Sequence, residues 1–160
     1  MVTHSACIRG ERLASVMLES ASMPVGTRIN ARSLRGLVPS AALRQLLMGP
    51  TLLVFVSSSC RDCVATVVEL NQIRPDSFGF RVVVVEAADP DGHSLEESAQ
   101  LQCEWLVDRR RHLFGVFGVQ FLPTMFVVEK GRVTASTWQH GVLDLLTRAS
   151  VTVPLVAFDR

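Results

Sequence analysis

Two short runs limit the fold more than any other feature of this chain: Thr51-Leu52-Leu53-Val54-Phe55-Val56, and the stretch Phe80 to Glu86 with Val82-Val83-Val84-Val85 at its centre. A strand with one wet face alternates apolar and polar residues, whereas a run that is apolar at successive positions must be covered on both faces. Six or seven residues are too few for a helix of ordinary length, and valine and phenylalanine favour the pleated conformation. The chain therefore has to build a sheet with a layer of other structure on each side.

Helical patterns alternate with these runs. Ser40 to Met48 is periodic and is closed by Gly49-Pro50, the stop expected past a helix end. After Cys60, Val64, Val67, Val68 and Asn71 recur at helical spacing as far as Pro75, with Ser57, Ser58 and Ser59 as N-cap candidates. Its valines make this a poor helix on propensity, so it has to be stabilised by packing on the sheet. Beyond the loop Asp89-Pro90-Asp91-Gly92, the pattern predicts a helix over 94–102, a strand over Trp105 to Asp108, and a helix from Arg110 to Phe117 ended near Gly118. Met125 to Val128, the turn Glu129-Lys130-Gly131 and Arg132 to Thr137 read as a hairpin, and a last helix spans Leu143 to Ala149. Alternation implies parallel pairing and the late hairpin adds antiparallel strands, which predicts an α/β fold with a mixed central sheet and helices on both faces. Residues 1–23 read as an N-terminal arm or helix, with Leu13, Val16 and Met17 on one face; Met23 to Thr27 is a breaker cluster opening a single domain over 24–160.

Composition narrows the function classes. Apolar residues make up 48% of the 160 and charged residues 19%, which opposes disorder and favours a packed interior. Sixteen basic and fifteen acidic residues leave a net charge of +1, so nucleic acid is not an expected partner. The first fifty residues hold six arginines against Glu11 and Glu19, and Arg109-Arg110-Arg111 is read as a solvated run. No run of eighteen apolar residues appears and no secretory signal opens the chain, so no membrane span is expected. As written the chain reads as cytoplasmic, or as extracytoplasmic if it is a trimmed piece of a longer protein.

The motif with the most chemical content is Cys60-Arg61-Asp62-Cys63, set where an apolar strand runs into a helix. Unpaired N–H groups and the positive end of the dipole at a helix start stabilise an anion, so a thiol there ionises more readily than a free cysteine near about 8.5. Cys60 is then the candidate nucleophile, and Cys63, one turn deeper, the candidate resolving thiol. Arg61 favours a Cys60 thiolate while Asp62 opposes it, making both modulators of opposite sign. A C-x-x-C also supplies half of a tetrahedral zinc site, but Cys103, His93 and His112 are scattered and no second pair occurs, so no metal is expected. A chance pair of buried cysteines is the remaining reading. Cys7 and Cys103 are left over, each either a reactive thiol or a small buried hydrophobe; Trp105, Trp138, Phe114 and Phe117 are expected to pack, and His140 to lie at the surface.

Leu52-Leu53-Val54-Phe55-Val56 leading into Cys60-x-x-Cys63, with Phe117-Gly118-Val119-Gln120-Phe121-Leu122-Pro123-Thr124 some sixty residues later, resembles the thioredoxin superfamily across about residues 50–149. The serines before C-x-x-C look most similar to bacterial thioredoxin-like proteins of the methylamine-utilisation and cytochrome-maturation type. The resemblance implies a thioredoxin-like fold, a cis bond at Leu122–Pro123 beside the cysteines, and pairing of a substrate with the backbone of Leu122. It departs at Ser59, where ordinary thioredoxins carry tryptophan, at Val54, where they bury an acid, and at Thr66, where some cytochrome-maturation relatives carry glutamate. Proton transfer is thus left without an assigned side chain.

The function expected from these residues is thiol–disulfide exchange with a protein disulfide substrate and a thiol reductant or oxidant, with no cofactor required. Two other readings stand beside it. One is a redox-silent binding or assembly module whose apolar tail Val151 to Phe158 docks a partner. The other is a peroxiredoxin-like peroxidase, for which Ser57 has the right offset before Cys60 but the expected proline is missing.

Overall fold

The computed structural model describes residues 22–138 and 141–150. The expected helix around Leu13, Val16 and Met17, together with Cys7, His140 and the tail Val151 to Phe158, lies outside the described residues. In chain order the elements are α1 (Ala31–Leu34), α2 (Ser40–Met48), β1 (Thr51–Ser57), α3 (Arg61–Ile73), a 3-10 turn (Pro75–Phe78), β2 (Arg81–Ala87), α4 (Leu95–Ser98), β3 (Glu104–Asp108), α5 (His112–Phe117), β4 (Thr124–Glu129), β5 (Arg132–Thr137) and α6 (Val142–Ser150).

The strands form one mixed sheet in the order β3-β2-β1-β4-β5. β1 runs parallel to β2, and β2 parallel to β3, while β4 is antiparallel to both β1 and β5. β1 is central, which is why every one of its residues is buried. Its side chains divide by parity. Leu53 and Phe55 join Val83, Val85, Phe126 and Val128 under α1, α2 and α5; Leu52, Val54 and Val56 join Val84, Met125 and Val127 under α3 and α6. The first layer centres on Phe55, whose ring meets Phe114 edge-on at 5.1 Å, Phe126 edge-on at 5.8 Å and Phe117 at 5.3 Å. Such tilted and edge-to-face contacts are the favoured aromatic geometries. Phe114 and Phe117 therefore pack as expected.

Three local expectations are corrected. The buried stripe of α3 is Cys63, Thr66, Val67 and Leu70, whereas Val64 and Val68 are exposed. The helix is thus rotated by one position from the valine pattern, because burying the Cys63 side chain fixes which face meets the sheet. α4 ends at Ser98 instead of continuing to Gln102. The chain has to be extended by Glu104, which pairs with Val83, and this tertiary demand overrides local helix preference. Trp138 is 38% exposed instead of packed in the core.

The segment before α1 closes the sheet edge. Gly26 donates to the Val133 carbonyl at 2.7 Å, Val133 to Thr27 at 3.0 Å and Ile29 to Gly131 at 2.7 Å. The start of the free rim of β5 is thereby covered, shortening the edge that could pair with another chain. The β4–β5 turn has φ of 48° at Lys130 and 72° at Gly131. Two successive positive φ values are what a two-residue hairpin of matching twist requires, and glycine meets the second without strain.

Candidate active site

β1 delivers the chain to the C-terminal end of the parallel strands, and the turn Ser57–Cys60 reverses it into α3. Cys60 is itself the N-cap: its backbone is extended (φ −98°, ψ 113°) and its Sγ accepts the Cys63 N–H at 3.2 Å. The cap expected of the serines is therefore made by sulfur. The same N–H also reaches the Cys60 carbonyl at 3.1 Å, so the sulfur shares a first-turn helix donor, an arrangement that favours the thiolate over the thiol. Cys60 is partly exposed and Cys63 fully buried, their Cα atoms lie 5.2 Å apart, and they are joined as a disulfide. A partly exposed cysteine with a buried partner one turn behind is the geometry for attack followed by ring closure. Arg61 and Asp62 are both exposed on the first turn of α3.

The serines hold the turn instead. Ser57 Oγ and Ser59 Oγ are 2.9 Å apart, and Ser58 Oγ donates to Asp89 Oδ2 at 2.7 Å across to the loop after β2. The Asp91 N–H, the Ser58 hydroxyl and nearby His93 hold the Asp89 carboxyl below its usual value of 3.8. A depressed carboxyl stabilises the fold above its ordinary pKa and loses that contribution as pH falls through the lower, folded value. Asp89→Asn should therefore lower the urea midpoint at pH 6, and the gap to the parent should close as pH drops below 3.8. A gap that stays constant down to acid pH would contradict this role for Asp89.

The Leu122–Pro123 peptide is cis. Pro123 is buried and Leu122 half-buried. Because Phe55 faces Thr124 in the antiparallel register, this peptide sits beside the end of β1 from which the chain proceeds to Cys60. Thr124 Oγ1 donates to the Phe121 carbonyl at 2.6 Å, whereas the Leu122 backbone has no hydrogen-bond partner among the described residues. The four residues read from the motif and the two read from the resemblance thus gather at one end of the sheet.

Two carboxylates near this end escaped the sequence reading. Glu86, 1% exposed, faces Val56 in the β1–β2 register and accepts from Ser94 Oγ at 2.8 Å, the Leu95 N–H at 2.8 Å and the Trp105 indole at 2.9 Å. With both oxygens engaged it braces α4 and β3 against β2, and Trp105 packs through this contact. Its signal was an acid closing an otherwise apolar strand with a serine eight residues on. Asp108 accepts from the His112 and Phe114 N–H groups and so caps α5.

Cys103 stands apart from this pair. Burial, then the charges of Glu96 and Glu104, push its thiol up to about 12, as suits a quiescent side chain. It lines a cleft of about 560 Å³, with Arg74 and Arg81 at the opposite end of the parallel strands from Cys60. Among the described residues no group of three or more His, Cys, Asp or Glu side chains is placed to hold a metal ion, and no helix is long and apolar enough to cross a membrane.

No family model and no curated protein matches the chain. Solved structures do. A secreted Mycobacterium tuberculosis disulfide oxidoreductase homologous to E. coli DsbE matches with a TM-score of 0.54 and 19% identity, over 66% of this chain and 84% of that one. The exposed lipoprotein thioredoxin Etrx1 of Streptococcus pneumoniae matches at 0.56 and 18%, over 68% and 88%. A DsbF homologue from Corynebacterium diphtheriae matches at 0.54 and 15%, over 64% and 71%.

Proposed function

Starting from a chain that has the thioredoxin-like fold, we propose that it is a thiol–disulfide oxidoreductase acting on protein disulfides through Cys60 and Cys63. The observation that carries this reading is the partly exposed residue Cys60 at the head of α3, whose sulfur accepts the N–H of a buried Cys63. In the reducing direction the Cys60 thiolate attacks one sulfur of a partner disulfide. A Cys60–partner disulfide forms and the other partner sulfur leaves as a thiolate, which takes up a proton. Cys63, losing its proton, then attacks Cys60 Sγ and releases the second partner thiol. The partner gains two electrons, the Cys60–Cys63 bond holds the oxidising equivalent, and an external dithiol restores the pair.

In this reading Leu122 and Pro123 orient the partner chain, the N–H and carbonyl of Leu122, unpaired among the described residues, pairing with it as one strand pairs with another. Arg61 and Asp62, exposed beside the sulfur, tune the thiolate with opposite signs. The thiol reductant or oxidant is a second partner, and its potential sets the direction of flow.

The test is insulin reduction driven by dithiothreitol, run on the parent protein and on protein whose reduced thiols have been alkylated. Catalysed precipitation of insulin by the parent, abolished by alkylation, is the expected result. An inactive parent whose Cys60 nevertheless titrates freely would favour a redox-silent binding module. Hydrogen-peroxide consumption by the same two samples addresses the peroxidase alternative.

A further inference from the structure

The turn that carries Cys60 is tied to the rest of the fold at few points. Its internal bonds are local: the Cys60 N–H donates to the Ser57 carbonyl at 3.1 Å, the Ser59 N–H reaches Ser57 Oγ at 3.4 Å, and the Ser57 and Ser59 hydroxyls meet at 2.9 Å. Such contacts set the shape of a turn but not where it stands. Ser57 is placed by the sheet, through its pairing with Ala87. Beyond it, among the described residues, the one side-chain hydrogen bond from the turn to a distant segment runs from Ser58 Oγ to Asp89 Oδ2, 2.7 Å long and spanning 31 positions. The acceptor is itself fixed. Asp89 Oδ1 takes the Asp91 N–H at 2.9 Å, and the Gly92 N–H reaches the Asp89 carbonyl at 3.1 Å, so both carboxylate oxygens are engaged within a closed turn. That loop is pinned at both ends by one buried carboxylate, because Glu86 near the end of β2 accepts from Ser94 Oγ and the Leu95 N–H on the far side of it. Asp89 is thus a firm post, and Ser58 links it to the sulfur two residues on.

We propose that Ser58 and Asp89 are positioning residues for Cys60, their hydrogen bond holding the turn so that the sulfur stays at the start of α3. The inference deepens the proposed disulfide exchange and rests on it, since reactivity in that exchange follows the thiolate fraction of Cys60. A sulfur 3.2 Å from the Cys63 nitrogen is stabilised as an anion only while the turn keeps it there. Groups that fix a reacting atom in this way act through geometry, and small displacements of that atom have large effects on rate. Without the Ser58 link the turn can pivot about its local bonds, the sulfur leaves the helix start, and the thiol form gains. Charge acts with the opposite sign, because the Asp89 carboxylate by itself opposes a nearby thiolate. Position and charge are therefore separable by experiment.

Ser58→Ala is the deciding variant, because it leaves the charges of Arg61, Asp62, Asp89, Asp91 and His93 around the turn as they are. In reduced protein, alkylation of Cys60 by iodoacetamide, mapped by mass spectrometry across a pH series, should be about tenfold slower than in the parent on the acid limb. The two profiles should converge at alkaline pH, where the thiol is ionised in both. The kcat/KM for insulin should fall by a similar factor at the same acid pH. Ser58→Thr, which retains the hydroxyl, should keep the parent profile. Adding Ser58→Ala to Asp89→Ala should change nothing further, because the link is already gone. Cys63, fully buried, is the internal control and should stay slow to react throughout. A Ser58→Ala profile equal to the parent's, a shift of opposite sign, or a full Ser58→Ala effect in the Asp89→Ala background would overturn the proposal. Labelling of Cys63 as fast as Cys60 in Ser58→Ala would overturn it too, by showing that the bond merely holds the fold. Alkylation needs no partner disulfide, so these outcomes are read apart from the exchange itself. A parent that reduces neither insulin nor glutathione disulfide would remove the exchange reading, and the functional meaning of this inference with it.

Discussion

Cys63→Ser protein, reduced and then mixed with a disulfide substrate, should accumulate a covalent adduct at Cys60 and turn over slower by on the order of a hundredfold or more. Without the buried second sulfur, the mixed disulfide has no neighbour one turn behind to release it. It must wait for an external thiol. Cys60→Ser should lose turnover to a similar extent but form no adduct, because Cys63 is fully buried and out of a substrate's reach. Non-reducing electrophoresis with mass spectrometry of the adduct distinguishes the two variants. Adducts on Cys63 in the Cys60→Ser protein would reverse the assignment of roles, and undiminished turnover in both would remove the pair from the reaction.

The second large effect is on stability. Phe55→Ala should destabilise the protein by about 3–5 kcal/mol, read as a drop in the urea midpoint at unchanged slope. The ring is wholly buried in the central strand, and three other phenylalanine rings close around it. Neighbours held in a sheet and in α5 cannot all collapse into the space, so the cavity adds to the lost transfer energy. Phe55→Leu, which fills part of the volume, should cost distinctly less. A loss below about 1 kcal/mol for the alanine variant would show that this layer relaxes freely, contrary to close packing around the ring.

Much of the fold was legible because burial on two faces leaves its mark in the sequence. β1 and β2 announced themselves as apolar runs, α2 matched its predicted bounds, and the hairpin turn followed from glycine after Lys130. Cys60 and Cys63 were legible through spacing and position. Leu122 and Pro123 were legible only by resemblance, since more than sixty positions after the end of β1 no local cue shows that they share an end of the sheet with it.

The misses share a cause: each depends on a partner distant in sequence. Glu86 looked like the end of a strand, yet its buried carboxylate is satisfied by a serine, a backbone amide and an indole from two later segments. Ser58 looked like a cap, yet its hydroxyl reaches Asp89 across 31 positions. Trp138 looked like core, and only the register of β4 against β5 sets it on the surface beside Phe121. Local pattern determined which segments are strands and helices and where the Cys60–Cys63 pair stands, because those follow from periodicity and from the chemistry of a helix start. Which side chains meet there was decided by tertiary structure alone, since hydrogen bonds and ring contacts are made by groups brought together only when the strands pair.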